Sequence, residues 1–436
     1  MISLITNPII ASIILLCILC LCRVNVLLAL IVCSVVGGII GHISLSEVMD
    51  IFIHGMGNNA ETALSYILLG AFAASMTHTG LAPILSMKIS NIIMSKKYLL
   101  IFILTGIAIL SQNLIPVHIA FIPILIPPLL VVMNKLRIDR RAVACGLAFG
   151  LKAPYIVIPA GFGLIFQGLI ADNMFQNGVE VLKNDIWKST WILGLGMFVG
   201  FIISIFVTYA KPRTYKNIEV EILDKNMDLT LHKNHYVTLI AAVLTLIVQL
   251  WTGSLPLGAL LGLAVIFGLK AIDHDKMDKL INEGVGLMGY VAFVMLVAAG
   301  FAAVMNATGA INSLVSSVTP YMMSSKLIAT ALMLIVGLFI TMGIGTSFGT
   351  IPILSVLYIP ICLKLGFSVP SMVILLAAAA ALGDAGSPAS DTTLGPTAGL
   401  NADGQHNHIW DTCIPTFLHY NIPLILSALI AVVIFK

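Results

Sequence analysis

Fourteen apolar stretches form two sets of seven, and adding 229 to the numbering of the first set lands on the second almost segment by segment. The first set falls at about 7–22, 24–41, 62–81, 98–112, 114–134, 141–170 and 189–210. The second falls at about 236–252, 254–270, 285–307, 327–343, 346–364, 370–400 and 413–435. Individual residues agree too. Phe72-Ala-Ala-Ser-Met-Thr-His-Thr-Gly80 matches Phe301-Ala-Ala-Val-Met-Asn-Ala-Thr-Gly309, Gly55 and Gly57 map to Gly284 and Gly286, and Lys97 and Lys135 map to Lys326 and Lys364. A constant offset across such different residue types marks an internal duplication. One crossing needs roughly 20 apolar residues, so the pattern predicts an all-α polytopic membrane protein. Its expected divisions are a first repeat over 1–210, a charged cytoplasmic linker over 211–235 and a second repeat over 236–436.

Composition narrows the function. Only 9% of residues are charged, against about 25% in soluble domains, which excludes a water-soluble enzyme and a disordered chain. The net charge of +3 leaves no basic surface for nucleic acid. Seven cysteines, an odd number lying in or beside apolar runs, argue against a disulfide framework and read as small apolar residues. The first apolar run has no Lys or Arg before it and is followed at once by a second, which predicts a spanning hairpin rather than a cleaved signal peptide. With no import or retention signal in view, the bacterial inner (cytoplasmic) membrane is the default location.

If segments alternate in direction, one side collects 16 Lys/Arg and the other five, with Lys152 inside a segment. The rich side is expected to be cytoplasmic, with both termini outside. Seven segments per half is odd, so the second half enters the bilayer with opposite orientation, giving an inverted repeat of the kind found in secondary carriers.

Two kinds of segment depart from plain spans. The fourth and fifth stretches of each half are joined by short polar tips, Ser111 to His118 and Met342 to Thr350. Each pair is expected to be a re-entrant helical hairpin, the alternative being an ordinary span–turn–span. The sixth stretch is too long for one crossing and is interrupted by glycine and proline, at Gly150 to Gly163 and at Leu382 to Thr397. Unwound backbone is tolerated in a membrane where it lines a polar cavity, and half-helix ends supply N–H groups for anions and C=O groups for cations. The expected fold is therefore an inverted-repeat carrier with two re-entrant hairpins and two broken helices.

Ionisable residues inside spans need a reason to be there. Asp384 and Asp391 flank the second break and are candidates to bind Na⁺ or a proton alternately, with Ser387, Ser390, Thr392 and Thr393 completing an oxygen shell. The alternative is that they cap the following half-helix. Lys152 sits in the matching break of the first half, where the acids across the pseudo-twofold are natural partners. It reads as an internal cation displaced by Na⁺ or substrate, or as a lysine reaching toward a vestibule. Ser111, Gln112, Asn113, Thr346, Ser347 and Thr350 at the tips offer neutral donors and acceptors to a substrate, or bonds back to their own helices. His78 and His118 titrate near neutrality in principle, but a lone histidine in a bundle is more often a packing residue. Asp403, His406, His408 and Asp411 form a polar cytoplasmic loop, read as structural or pH-sensing because its spacing matches no metal motif. No cofactor and no resident metal are expected, only transported Na⁺. All five arginines lie at segment ends or in loops, so no guanidinium is available mid-membrane to clamp a carboxylate. No metalloprotease or Walker motif occurs.

The run from Gly383 to Asp411, Gly-Asp-Ala-Gly-Ser-Pro-Ala-Ser-Asp-Thr-Thr-Leu-Gly-Pro and then Thr-Ala-Gly-Leu-Asn-Ala-Asp-Gly-Gln-His-Asn-His-Ile-Trp-Asp, resembles the NhaC-type Na⁺/H⁺ antiporter family. It is nearest the branch that includes proteins named as histidine permeases, and the resemblance extends over nearly the whole chain. It implies an elevator-type carrier of the ion transporter superfamily, with scaffold and transport domains and, by analogy, a homodimer. Site residues implied by the resemblance are those of this run; the set around Lys152 rests on the repeat. Two readings follow. The first is Na⁺/H⁺ antiport through Asp384 or Asp391. The second is a Na⁺- or H⁺-coupled carrier of a small amino acid, histidine being the named candidate. A channel, which would conduct without saturation, is the reading from another class.

Overall fold

Polar caps such as Asn25, Ser44 and Asp139 start helices of this chain, and glycine and proline interrupt others. A computed structural model describes residues 7–22, 24–80, 84, 96–113, 122, 125–216, 230–310, 325–344, 346–388 and 390–435. All regular elements among them are helical. In the first half these are α1 (Pro8–Leu21), α2 (Val26–Ile40), α3 (Leu45–Met56), α4 (Ala60–His78), α5 (Lys97–Asn113), α6 (Leu130–Lys135), α7 (Arg140–Val157), α8 (Phe162–Gln176) and α9 (Ile186–Ile203). The second half contains α10 (Lys233–Thr252), α11 (Leu255–Gly268), α12 (Met277–Ala307), α13 (Lys326–Ile344), α14 (Ser347–Lys364), α15 (Val369–Ala381), α16 (Asp391–Leu400) and α17 (Ile414–Ile434).

Among the described residues, five continuous helices are long and apolar enough to cross a bilayer, and α7 with α8 makes a sixth span bent by 46°. The protein is thus a multi-pass, all-helical membrane protein. The bend falls where Pro159 and Gly161 interrupt the sixth stretch, between Val157 and Phe162. The matching stretch is broken between Ala381 and Asp391. Its two pieces have 13 and 10 residues, about 20 and 15 Å at 1.5 Å per residue, so neither alone crosses a core about 30 Å thick. The start residues of α2, α5, α7 and α8, raised by 229, give those of α11, α13, α15 and α16.

Among the described residues the two halves differ clearly at one pair of segments. Residues 45–78 form two helices, α3 and α4, joined by a short 3-10 turn, whereas the corresponding residues form a 3-10 turn at His274–Lys276 followed by the single 31-residue α12. Hydropathy alone passed over α3, which is amphipathic and buries Val48, Phe52 and Gly55. The signal was the Ser44-x-x-Glu47 start, where the Ser44 hydroxyl accepts from the Glu47 N–H at 3.4 Å.

α12 packs along α3 and α4 through small residues, as helices do where lipid offers no hydrophobic drive to associate. A Cβ on Gly284 would lie 2.2 Å from the Ala71 nitrogen, and one on Gly55 would lie 2.4 Å from the Ala303 Cβ and 3.2 Å from the Gly300 Cα. Gly55 and Ala71, raised by 229, are Gly284 and Gly300, so the two close approaches are counterparts of each other. α14 is buried along nearly its whole length, which puts Ser347 to Thr350 of the second polar tip inside protein rather than against lipid.

Candidate functional site

Both helix breaks are held open by side chains that satisfy the freed backbone. At the first, the Ile156 carbonyl accepts from Thr190 Oγ1 at 2.6 Å and Gln167 Nε2 at 3.3 Å. At the second, Asn421 on α17 accepts from the Gly383 N–H at 3.3 Å and donates to the Ala385 carbonyl at 3.0 Å. Thr393 Oγ1 donates to the Ser387 carbonyl at 2.5 Å, and Ser390 caps α16 by accepting from the Thr392 N–H at 3.2 Å. Gly386 has φ +105°, and a Cβ there would meet Phe417 at 2.5 Å, so no other residue fits.

Asp384 lies at the centre of this second break, 4% exposed. Its Oδ2 accepts from Lys152 Nζ at 2.7 Å, Ser347 Oγ at 2.6 Å and Tyr155 OH at 3.2 Å. Its Oδ1 accepts from Ser390 Oγ. Lys152, fully buried, also reaches Ser347 Oγ at 3.2 Å. The cluster therefore joins α7, the start of α14 and the second break. The positive end of the α14 dipole adds to the lysine charge facing the carboxylate. Tyr155 and Asp384 are 229 residues apart, the repeat offset, and touch each other. One flank is covered by aromatic rings: Phe348 packs at 5.1 Å from Tyr155, 5.7 Å from Phe162 and 6.0 Å from Tyr66.

The other sequence candidates divide. Thr392 joins the cluster through Ser390 Oγ at 2.9 Å and the Asp384 carbonyl at 3.3 Å. Thr393 and Ser387 hold the break rather than the carboxylate, Ser387 Oγ donating to the Met342 carbonyl at 3.5 Å. Asp391 is exposed at the first position of α16, and no hydrogen bond among the described residues ties it to Asp384. Of the described tip side chains only Ser347 enters the cluster. Thr350 and Ser111 bond back to their own helices, at Thr346 and Ala108. Thr346 is the residue before α14. Gln112 is buried with its Oε1 unpartnered among the described residues, while the side chain of Asn113 and all of His118 lie outside them. His78 pairs with Glu283 at 3.0 Å at the surface. Two site residues escaped sequence reasoning: Tyr155, which the repeat offset from Asp384 would have found, and Asn421, a lone buried amide in an apolar span.

The loop after α16 is a clasp. Arg140, at the start of α7 and fully buried, holds Asp403 with two bonds of 2.6 and 2.5 Å and also donates to the Leu400 carbonyl and Asn134. Tyr215 stacks on its guanidinium at 4.2 Å, and Arg213 pairs with Asp411 at 2.7 Å. Burial pushes the Asp403 carboxyl up, but the Arg140 bonds and charge outweigh it and hold the carboxyl below the usual range. His408 donates from Nε2 to the Pro388 carbonyl at 2.9 Å, tying the loop to the break.

His406 fits a pH sensor near neutrality poorly. It is 2% exposed, and burial pushes its pKa down to about 4, with Asp411 opposing and Arg140 and Arg213 assisting. A histidine depressed from about 6.5 contributes stability that is full above that pH and is lost as pH falls toward the folded value. Unfolding temperature is therefore expected to fall between pH 6.5 and 4, with a slope approaching about 1.4 kcal/mol per pH unit. In His406→Gln that slope should flatten; an unchanged slope would assign it to other groups.

An all-helical, multi-span fold with an ion pair buried between interrupted helices defines a membrane transporter, not an enzyme. The model described as the Na+/H+ antiporter family matches residues 146–430, and one described as the Na+-H+ antiporter family matches residues 7–93. The chain therefore belongs to the NhaC-type Na⁺/H⁺ antiporter family and is a secondary transporter. It is 45% identical over 440 residues to an uncharacterized membrane protein of Vibrio parahaemolyticus, covering 98% of this chain and 100% of that one. It is also 45% identical over 443 residues to the Bacillus subtilis protein named "Putative amino acid transporter YuiF", again covering 98% and 100%. In fold it is similar to the Alcanivorax borkumensis YdaH transporter, with a TM-score of 0.62 over 89% of this chain and 88% of that one, at 15% identity.

Proposed function

We propose that the protein exchanges Na⁺ for H⁺ at Asp384, with Lys152 as the internal cation that Na⁺ displaces. The observation that carries this is the buried Lys152–Asp384 pair at 2.7 Å, formed between the two interrupted helices. In the state described here the carboxylate is neutralised by the ammonium. Na⁺ arriving at Asp384 takes over that carboxylate, with Ser390, Thr392 and bare carbonyls of the break as further oxygen ligands. Lys152, left unpaired away from water, gives its proton to the solvent. Re-protonation on the opposite side returns the pair and expels Na⁺, so one Na⁺ moves per proton. The duplication at 229, the matched helix starts and the Tyr155–Asp384 contact support an inverted-repeat arrangement with hairpins at α5 and at α13–α14. The charge asymmetry supports cytoplasmic positive loops in a bacterial inner membrane.

A second reading is a Na⁺- or H⁺-coupled amino-acid carrier. The relationship to a protein named as an amino acid transporter favours it, as does the unpartnered Gln112 oxygen at the first tip. In proteoliposomes carrying a pH dye, Na⁺ alone is expected to drive a proton flux. Silence with Na⁺, followed by a response only when histidine or another amino acid is added, would reverse the ranking.

A further inference from the structure

A polar cavity of about 110 Å³ lies beside the first helix break. Its lining includes Glu61, Ser65, Pro159, Gln167, Asp172 and Lys183. Pro159 belongs to the first helix break, and Ser65 precedes Tyr66, whose ring packs on Phe162 at 5.2 Å. The cavity thus adjoins the first helix break, where Phe162 at the start of α8 packs at 5.7 Å from Phe348 of the aromatic group flanking the cluster.

The charges are uneven. Asp172 pairs with Lys183 at 3.3 Å, whereas Glu61 has no ion-pair partner among the described residues. Gln167 is 1% exposed; its Nε2 is used by the Ile156 carbonyl, and its Oε1 has no partner. A buried amide oxygen without a donor costs about 1–3 kcal/mol, so the site is built to receive one. Ser65 Oγ spends its proton on the Glu61 carbonyl at 2.8 Å and keeps its lone pairs. One free carboxylate beside acceptor oxygens selects a single positive centre and disfavours an anion.

We propose that this cavity is a reception site for a monovalent cationic centre, Na⁺ or the ammonium group of an amino acid, held by Glu61 and Gln167. It rests on the transport reading of the Asp384 site and supplies that site from the outward face under the orientation proposed above.

Calorimetric binding by the purified full-length protein in detergent tests it, with Na⁺ alone in one arm and histidine in sodium-free buffer in the other. Asp384→Asn should retain a binding event in at least one arm. Adding Glu61→Gln should weaken that event about tenfold or more, the range by which a charged cleft concentrates its counter-ion. Gln167→Met should weaken it as well, and Glu61→Asp should restore part of it. The arm that responds identifies the source of the cationic centre. No residual binding in Asp384→Asn, or residual binding indifferent to Glu61→Gln, overturns the proposal. Because this binding is read without transport, failure of the antiport reading would appear separately, as the absence of Na⁺-driven proton flux in the wild type.

Discussion

Asp384→Asn is expected to abolish Na⁺-driven proton flux in proteoliposomes, because it removes the buried carboxylate on which Lys152, Tyr155, Ser347 and Ser390 converge. The same change should destabilise the protein. Removing one partner of a buried ion pair strands the other and costs about 3–5 kcal/mol. Lys152→Met should do likewise from the other side. The double variant Lys152→Met/Asp384→Leu distinguishes folding from function: with no charge left to bury, its unfolding temperature in detergent should return toward the wild-type value while transport stays absent. Wild-type flux in Asp384→Asn would remove the site from the mechanism. Recovery of flux in the double variant would do the same for the proposed exchange. Asp391→Asn, at an exposed position without a bond to the cluster, is expected to leave both quantities nearer wild type.

The second large effect is structural. Arg140→Ala should lower stability by about 3–5 kcal/mol, since the arginine and Asp403 are both withdrawn from water and satisfy each other with two parallel bonds. Asp403→Ala should cost a comparable amount, and the two together less than their sum. A double-mutant cycle on thermal unfolding measures this; additivity within roughly 0.5 kcal/mol would mean that the pair does not interact. Since Asp403 is held below the usual carboxylate range by Arg140, the clasp's contribution is present above ordinary carboxylate pKa values. It is lost only as pH falls through the depressed one, so it should not vary between pH 6 and 8.

Much of the architecture was legible because the membrane limits what a chain can do. Apolar lengths, glycine–proline interruptions and the offset of 229 located the spans, both broken helices and the residue types that break them, since backbone cannot unwind in lipid without a polar reason. The helix α3 was missed because an amphipathic segment is not an apolar stretch, although its capping residues announced it. Asp384 and Lys152 stood out as ionisable residues in spans, and the repeat suggested that they face each other. Sequence placed Asp384 and Asp391 on equal terms, and the six tip residues likewise. The fold separates them, burying Asp384 and exposing Asp391, and bringing Ser347 alone among the described tip side chains to the carboxylate. It also turned the loop of Asp403 and Asp411 into a clasp by delivering Arg140 and Arg213 from the first half of the chain.

By itself, then, the sequence determined a helical, multi-span membrane transporter and the stretches in which its polar chemistry resides, because hydropathy and helix breaking are local properties that each segment carries alone. Which carboxylate is paired, which hydroxyl faces it and which charges are clasped rather than free depend on contacts between residues up to 263 positions apart. Those were decided by tertiary structure, because hydrogen bonds act over a few ångströms and no local pattern encodes which distant segment will arrive within that range.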